Sequence, residues 1–416
     1  MMQIAGTIRP IVSIEPELPP AVISTWPRHE DDEIAAALKV LQSGRVNSLV
    51  HGDETRAFEH EFADYVGVPH AIAVANGTVS IELALRALGI GPGDEVIVPA
   101  RSFFATTSAV VAVGALPVFA DVEPATQNID PDSVIRMISA DTRAIICVHL
   151  AGQPCDMDRL CAVASANGLF LVEDCAQAHG AKWGGRPVGS FGDAGSFSFC
   201  TDKIISTGGE GGMLVLKDDA AWQRAWAYKD HGKNPHRLTG QGNGPAGEYR
   251  FLHDSFGSNF RITEVQAAIG RRQLAKLDEW IAIRDKNAGA LLGEASRHPA
   301  VKLIPLPEAA RHAYYKCYIR LDLDKLPAGV SRADIIGALQ ANGIQCGSGS
   351  CPDMSREKAF DGLKIRRDGN LSNAARLAKE TIMFQVDHTL DDARTAWFGR
   401  SLADALNRVS RHGALA

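Results

Sequence analysis

The chain has 416 residues, of which 43 are basic and 49 acidic, and its formal net charge is -6 at pH 7. Such a charge offers no long-range attraction to nucleic-acid phosphates or to anionic lipid, which argues against both as partners. The length predicts two domains, or a large domain with a smaller one, and a hydrophobic content of 45% is typical of a folded globular protein.

The eight cysteines show no CxxC pair and no zinc-ligand spacing, which predicts reduced thiols and no metal site. The N-terminal sequence has no uninterrupted apolar segment of the signal-peptide kind. No run of about 18 apolar residues, the length that a membrane span needs, occurs in the sequence. We therefore expect a cytoplasmic protein.

Regular structure is predicted to begin near residue 30. Five prolines lie at or before Pro27 without a helical period, so residues 1–29 are expected to form an extended arm. Apolar residues at helical spacing predict helices from Asp31 to Leu41 and from Glu54 to Tyr65. Seven β-rich runs follow, at residues 71–76, 95–100, 116–122, 144–150, 169–174, 195–200 and 212–217.

Helical patterns separate most of these runs, at residues 79–88, 156–165 and 219–228. The alternation predicts an α/β fold whose seven-stranded, mostly parallel sheet is covered by helices on both faces. We expect a large domain over residues 30–284 that ends in a long helix from Thr263 to Arg284. A glycine-rich stretch at 240–249 predicts a mobile loop, and residues 285–416 are expected to form a smaller α+β domain.

Three segments carry candidate chemistry, and the first is ANGTVSIELALRAL. A strand ends there at Asn76, Gly77 allows close backbone approach, and Thr78 opens a helix. Free N–H groups at a helix start form an anion site. The alternative is an ordinary turn from strand to helix, in which Thr78 is only the N-cap.

The second segment, LFLVEDCAQAHG, ends an apolar strand with Glu173 and Asp174. Carboxylates at the exposed end of a buried strand are typical working groups of α/β enzymes, although a helix cap or a surface salt bridge is the alternative. The third segment, GSFSFCTDKIISTGGEGG, places Lys203 among apolar strands. Lysines are usually solvated charges, but desolvation here would lower the pKa toward the neutral amine that Schiff-base chemistry requires.

Together the three segments fit one cofactor, which has a phosphate, a ring nitrogen to be kept protonated and an aldehyde to be held by a lysine. Pyridoxal 5′-phosphate (PLP) has all three. A carboxylate against the pyridinium nitrogen keeps the ring an electron sink, while the lysine carries the cofactor and moves protons at the substrate carbon.

Six motifs then occur in a characteristic order: AVANGT, VIVPARSFFATTSAV, VHLAGQPCDM, VEDCAQAHGA, SFSFCTDKIISTGGEGGMLV and SFGSNFRITEVQAAIGRRQL. With these motifs the chain resembles the DegT/DnrJ/EryC1/StrS aminotransferase family over residues 30–405. The resemblance implies the aspartate aminotransferase fold (PLP fold type I). It also implies a homodimer with active sites at the subunit interface.

The resemblance implies two catalytic residues, Lys203 as the internal-aldimine lysine and Asp174 as the partner of the pyridine nitrogen. It implies that Gln177 contacts the ring face or its 3′-oxygen and that Phe103 stacks on the pyridine. Gly77, Thr78 and Ser198 match phosphate-binding positions. Phe104 is the alternative for the stacking ring, because a phenylalanine beside alanine and threonine often lies in a core.

Further contacts implied by the resemblance come from Asn259 and Arg261, reaching from the other subunit to close the phosphate or substrate side. His179 is a candidate substrate contact, with a structural histidine as the alternative. Two departures from the common pattern bear on substrate contacts: the longer turn TGGEGG and Arg101 in place of an aromatic residue. Family members with histidine at the lysine position catalyse dehydration, so Lys203 indicates amino transfer.

The expected reaction is ping-pong, with glutamate or glutamine as amino donor and pyridoxamine 5′-phosphate as the intermediate form. The resemblance favours a nucleotide-linked keto-sugar as acceptor, whose diphosphate would need basic residues such as Arg250, Arg261 and Arg311. A cyclitol ketone or an aminobenzoate-type precursor is the alternative acceptor. A catalytically silent PLP-binding regulator or subunit is the alternative from another class, and the absence of GxGxxG and GxxxxGK[ST] patterns disfavours a nucleotide-binding enzyme.

Overall fold

A computed structural model describes residues 24–239 and 251–413 of the chain. The predicted loop at 240–249, Arg250 and most of the predicted arm at 1–29 lie outside these residues. No helix in the part of the chain so described combines the length and the apolar character that crossing a membrane would require.

The described residues form twelve α-helices and fifteen short strands, which are numbered in chain order. The helices are α1 Asp31–Ser43, α2 Asp53–Val66, α3 Gly77–Ala87, α4 Ala105–Ala112, α5 Pro131–Met137, α6 Met157–Asn167, α7 Asp219–Lys229, α8 Pro235–Thr239, α9 Glu264–Ala295, α10 Arg332–Ala341, α11 Ser372–Glu380 and α12 Asp392–Gly413. The strands are β1 His70–Val74, β2 Glu95–Pro99, β3 Leu116–Ala120, β4 Thr142–Val148, β5 Phe170–Asp174, β6 Lys182–Trp183, β7 Arg186–Pro187, β8 Ala194–Ser198, β9 Gly212–Leu216, β10 Val301–Leu303, β11 Ala310–Arg311, β12 Cys317–Leu321, β13 Cys346–Gly347, β14 Arg366–Arg367 and β15 Thr381–Phe384.

The largest sheet has the strand order β1-β9-β8-β5-β4-β2-β3-β14. Strand β9 is antiparallel to both of its neighbours, and the pairings from β8 across to β14 are parallel. Strands such as β2, β8 and β9 are buried at every position, as expected for a sheet covered by helices on both faces. The prediction of an α/β fold with seven mostly parallel strands is therefore confirmed.

The sheet has an eighth strand that the sequence did not indicate. Strand β14 has only two residues, both arginines, and it pairs with β3 at the sheet edge. Such a strand carries no apolar alternation, because its backbone pairing rather than its side chains attaches it to the sheet. It belongs to residues 285–416, the predicted smaller α+β domain.

Local sequence explains where the helices that frame the site begin. The side chain of Asn76 accepts a hydrogen bond from the N–H of Val79 and so caps α3. Thr263 and Gln266 form a reciprocal capping box at the start of α9. Helix α9 continues to Ala295, beyond the predicted end at Arg284, because no glycine or proline stop follows Arg284 directly.

A second sheet, with the order β10-β12-β15-β13, lies in the C-terminal part of the chain. It has its own hydrophobic core, which the second half of α9 and α12 complete. Phe360 and Leu377, however, lie in the core of the large sheet. The two-domain division with a boundary near residue 285 stays a prediction, and these contacts show that the C-terminal segment is not separate from the large sheet.

The topology brings distant segments to one edge. Strands β1, β2, β5 and β8 point the same way, so their carboxyl ends lie along the same edge of the sheet. Ligands of open α/β sheets bind at that edge. The residues that follow these strands are those that the sequence marked as candidates.

Candidate active site

A cavity of about 720 Å³ lies between the carboxyl edge of the large sheet and the C-terminal sheet. We call its large-sheet side the floor: Gly77, Thr78, Phe103, Asp174, Gln177, Ser198 and Lys203. We call its C-terminal side the wall: Tyr315, Lys316, Tyr318, Gly349, Ser350 and Met383. The structure thus brings seven of the predicted site residues to one cavity.

One end of the floor is built to approach an anion closely. Helix α3 begins at Gly77, so its first N–H groups lie at the cavity. A Cβ atom added to Gly77 would lie 2.6 Å from the Cβ of Ser198, so no larger residue fits. The Ser198 side chain therefore lies directly beside the helix start, where its hydroxyl can act together with the backbone N–H groups of Gly77 and Thr78.

Asp174 lies deeper in the floor and is 5% exposed. Its carboxylate accepts hydrogen bonds from the Thr106 hydroxyl at 2.9 Å and from the Ala176 N–H at 3.2 Å. Burial raises the pKa of Asp174, and these hydrogen bonds offset the rise only in part. A protonated ring nitrogen would supply the charged partner that this carboxylate lacks in the desolvated site.

The neighbouring carboxylate, Glu173, has a different role. It accepts hydrogen bonds of 2.7 Å from the N–H groups of Gly189, Phe191 and Gly192, and it pairs with His149 at 3.1 Å. Burial alone would raise its pKa, but His149 and the backbone N–H groups outweigh burial and lower the pKa. Glu173 therefore anchors the loop before β8, and of the two acids only Asp174 lines the cavity.

Lys203 lines the same cavity as Asp174. Its amine donates a hydrogen bond to the Tyr315 hydroxyl at 3.2 Å and lies 3.4 Å from Asp202. Tyr315 in turn donates its proton to Asp202. Burial and the nearby Asp202 raise the pKa of Tyr315, so the phenol stays neutral. The Tyr315 oxygen thus accepts from the lysine while its proton is held by Asp202.

Gln177 and Phe103 lie in the floor between these groups. The Gln177 side-chain oxygen accepts a hydrogen bond from the Ala151 N–H at 2.7 Å, which directs its amide NH₂ group away from Ala151. Phe103 is 66% exposed, and its ring lines the cavity. Phe104, the alternative stacking ring, instead packs on Phe360 with ring centres 5.6 Å apart.

The structure does not bring every predicted residue to the cavity of its own chain. Arg261 forms an ion pair of 2.6 Å with buried Asp230, and the exposed Asn259 pairs with the same aspartate through the backbone. His179 is 1% exposed and lies against Phe197 and Phe199 in the core. Burial lowers the pKa of His179 to about 3, so it is a neutral core residue outside the cavity lining.

Two further arginines also lie elsewhere in the described part of the chain: Arg101, noted as a departure from the family pattern, and Arg311, suggested for a diphosphate. Arg101 is 1% exposed and donates to Gln127 and Thr381. Arg311 is exposed on strand β11, away from the cavity. The cations that line the cavity in the described residues are Lys203 and Lys316.

Sequence reasoning missed the wall and two polar residues beside the floor. Thr106, which holds Asp174, lies in an apolar helix and carries no signal of its own. Asp202 directly precedes Lys203, and that adjacency was the one available signal. Tyr315, Lys316, Tyr318 and Ser350 lie in or beside strands of ordinary composition, so only the folded chain relates them to the site.

The residues present fit PLP. An anion-binding helix start, a desolvated carboxylate and a lysine amine line one cavity. These match, in order, the phosphate, the ring nitrogen and the aldehyde of the cofactor. Gly77 has no side chain that could cover the N–H groups at the start of α3, which suits a bound phosphate.

Comparison with known proteins agrees with this geometry. Residues 27–397 match the model of the DegT/DnrJ/EryC1/StrS aminotransferase family. The chain is 37% identical over 420 residues to an L-glutamine:2-deoxy-scyllo-inosose aminotransferase of Streptomyces kanamyceticus, covering 94% of each chain. It is 39% identical over 332 residues to a GDP-perosamine synthase of Caulobacter vibrioides, covering 78% of this chain and 83% of that one.

A solved structure is similar over nearly its whole length. It is an aminotransferase from Psychrobacter cryohalolentis, with a TM-score of 0.88 and 43% sequence identity, and the match covers 94% of this chain and 99% of that chain. The structural neighbours have PLP fold type I, which confirms the expected fold.

Proposed function

Because the chain belongs to the DegT/DnrJ/EryC1/StrS aminotransferase family and is a PLP-dependent aminotransferase, we propose that it moves an amino group from glutamate or glutamine to the ketone of a nucleotide-linked sugar. Lys203 is the catalytic residue of this proposal. The observation that carries it is the placement of the Lys203 amine and the Asp174 carboxylate in one cavity whose floor also contains a helix start.

Bound PLP supplies an electron sink that stabilises negative charge at the substrate carbon. The chain's own residues do the remaining work. The N–H groups of Gly77 and Thr78 and the Ser198 hydroxyl bind the phosphate. Asp174 holds a proton on the ring nitrogen, and the Lys203 amine removes the proton from the Cα atom of the donor and returns one to the acceptor carbon.

Tyr315 and Asp202 position this amine. The Tyr315 oxygen and the Asp202 carboxylate lie 3.2 and 3.4 Å from the Lys203 nitrogen. Both can therefore accept hydrogen bonds from the ammonium form of this lysine. Hydrogen bonds to a charged group are stronger than neutral ones. The pair therefore holds the amine in place between its two proton transfers.

The nucleotide-linked acceptor is supported by the GDP-perosamine synthase relative, whose name specifies a nucleotide-sugar product. A second candidate acceptor, a cyclitol ketone, is favoured by a specific observation. The described cavity lining contains no arginine, so a diphosphate would depend on groups from elsewhere. The relative that covers 94% of both chains acts on a cyclitol, as its name states.

We also propose that the chain works as a homodimer. Ile34, Leu38 and Leu41 on α1 are 53%, 50% and 58% exposed, and they lie at helical spacing on one face. That face lines a hollow with Gly208 and Gly209, beside the lysine segment. In the dimer, Asn259 and Arg261 would complete the phosphate or substrate side of the other subunit's cavity.

The test of the acceptor uses the purified PLP enzyme with glutamate and glutamine as donors. A nucleotide-linked keto-sugar and 2-deoxy-scyllo-inosose are offered separately, and the aminated product is measured by mass spectrometry. The primary proposal predicts amination of the nucleotide-linked substrate with a kcat/KM at least about tenfold above that of the cyclitol. The reverse preference would favour the second candidate, and no product with any ketone would contradict both.

The dimer is tested by subunit mixing. Lys203→Ala and Asn259→Ala chains, each impaired alone, should regain up to about a quarter of the wild-type activity when coexpressed, since one of the two sites in a mixed dimer is intact. Light scattering should give twice the mass of 44.5 kDa. A monomeric mass, or no recovery on mixing, would contradict sites shared between subunits.

A further inference from the structure

The wall contains a lysine whose charge lacks an acidic partner. The Lys316 amine donates a hydrogen bond to the side-chain oxygen of Gln385, which is a neutral amide. No carboxylate of the described residues lies within 4.0 Å of it, the limit for an ion pair. A desolvated cation is costly unless it is paired, so an unpaired lysine in an active-site cavity indicates an anionic ligand.

Lys316 and the catalytic lysine both lie near the ring of Tyr315. The Lys316 amine is 4.6 Å from the centre of the Tyr315 ring, and the Lys203 amine is 4.7 Å from the same centre. The two amines are therefore no farther apart than the sum of these distances. An anion held by Lys316 would therefore share one cavity with the carbon at which Lys203 acts.

Lys316 and Met383 also line a second hollow of about 470 Å³, in which Gln385 lies. The lysine thus stands at the boundary of two hollows and is exposed to the main cavity from one side. In the main cavity, the hydroxyls of Tyr318 and Ser350 lie on the same wall. They offer neutral donors beside the charged one.

The electrostatic surroundings agree with a site for one negative charge. Burial lowers the pKa of Lys316 to about 8; Asp202 and Asp387 act to raise the pKa, and Arg284 and Lys203 act to lower it. Asp202 accepts a hydrogen bond from Tyr315, and one oxygen of Asp387 accepts hydrogen bonds from Thr389. An incoming carboxylate would place a negative charge beside Lys316 and raise its pKa, which favours the ammonium form.

We propose that Lys316 binds the α-carboxylate of the amino donor and of the keto acid that the donor becomes. The α-carboxylate is the anion that glutamate and glutamine share, and two covalent bonds separate its carbon from the reacting amino nitrogen. A diphosphate carries more than one negative charge, and the described cavity lining offers Lys316 as its one cation besides the catalytic lysine, so the single charge of a carboxylate is the better match. This inference rests on the proposed amino transfer.

The direct test measures binding, not turnover. Glutarate, a dicarboxylate without an amino group, is titrated into the PLP-loaded protein by isothermal calorimetry at pH 7. Lys316→Met should weaken glutarate binding about tenfold or more, as expected for loss of one charge-assisted contact. The matched control is Lys302→Met, since Lys302 pairs with Asp322 at 3.0 Å outside the cavity, and it should bind glutarate as the wild type does.

Binding should also depend on pH with a defined sign. The ammonium form of Lys316 attracts the carboxylate, so wild-type affinity should be highest below pH 8 and should fall as the pH rises through about 8. The methionine variant should lose this fall, and Lys316→Arg should retain tight binding at high pH. Glutaramide, which carries no charge, should bind the wild type and Lys316→Met equally.

Kinetics separate this inference from the proposed function. In Lys316→Met the donor KM should rise about tenfold while the acceptor KM stays within about twofold. Unchanged glutarate affinity, or a rise in the acceptor KM alone, would overturn the carboxylate site while leaving amino transfer intact. Absence of amino transfer in the wild type with every donor would instead contradict the proposed function, whatever glutarate does.

Discussion

The floor and the wall of the cavity are built in different ways. Floor residues such as Asp174 and Ser198 stand at the carboxyl ends of neighbouring strands in one sheet, so their positions follow from the topology. Wall residues come from three separate stretches of the C-terminal segment, around Lys316, Ser350 and Met383. They meet the floor only because α9 and the second sheet pack as they do.

The difference suggests a division of function between the floor and the wall. The floor offers groups for a phosphate, a ring nitrogen and an aldehyde, which belong to the cofactor and are common to every substrate. The wall offers a cation and hydroxyls that suit the donor and acceptor. A floor substitution should therefore affect all substrates alike, and so should a substitution of Tyr315, which contacts Lys203. Substitution of another wall residue should affect one substrate more than another. The four predictions below test this division, beginning with the largest effect.

Lys203→Ala should abolish turnover, by about 10³-fold or more, because it removes the amine that carries the proton at the donor carbon. The protein should still fold, since Lys203 contributes no core contact. Turnover and the visible absorbance of lysine-bound PLP are measured, with circular dichroism as the folding control. If Lys203→Ala were as active as the wild type with any donor, the assignment of the floor residues to the cofactor would be wrong.

Asp174→Ala should lower turnover about 100-fold while PLP still attaches to Lys203, because a ring nitrogen without its carboxylate partner stabilises less charge. The loss should be the same for glutamate and glutamine. Asp158→Ala, on the exposed side of α6, is the control. A loss confined to one donor would place Asp174 among the substrate contacts and so contradict the division.

Tyr315→Phe should lower kcat about tenfold, since it removes one hydrogen bond to the Lys203 ammonium. Tyr314→Phe removes the adjacent phenol, which lies outside the main cavity lining. If both variants lower kcat equally, the effect is structural and Tyr315 does not position the lysine.

Ser198→Ala should weaken PLP binding about fivefold, since one hydrogen bond contributes about 1 kcal/mol and the N–H groups of Gly77 and Thr78 remain. The KM values of the donor and acceptor at saturating PLP should not change. The dissociation constant of PLP is measured by fluorescence titration. A changed substrate KM with unchanged PLP affinity would assign Ser198 to the substrate rather than to the phosphate.

Much of the floor could be predicted from sequence because its signals are local. An apolar run followed by Asp174, a strand followed by Gly77 and Thr78, and a lysine framed by apolar strands each lie within one segment. All seven strands were found for the same reason. The eighth, Arg366–Arg367, was not, since two charged residues at a sheet edge leave no apolar pattern.

The wall could not be predicted because its signals are not local. Tyr315 and Lys316 have no composition that separates them from surface residues, and their roles depend on atoms of Asp202 and Gln385, more than 60 positions away. Packing between residues distant in sequence also determines where His179 lies. Its motif suggested the pocket, but the rings of Phe197 and Phe199 enclose it in the core.

One measurement tests the central claim most directly, namely that the amine at position 203 forms the covalent link to PLP. The protein is purified with PLP supplied, reduced with borohydride, digested and examined by mass spectrometry. The account predicts a pyridoxyl phosphate group on Lys203 in nearly all chains and none on Lys316. An unmodified Lys203 peptide, or a label on another lysine, would contradict it.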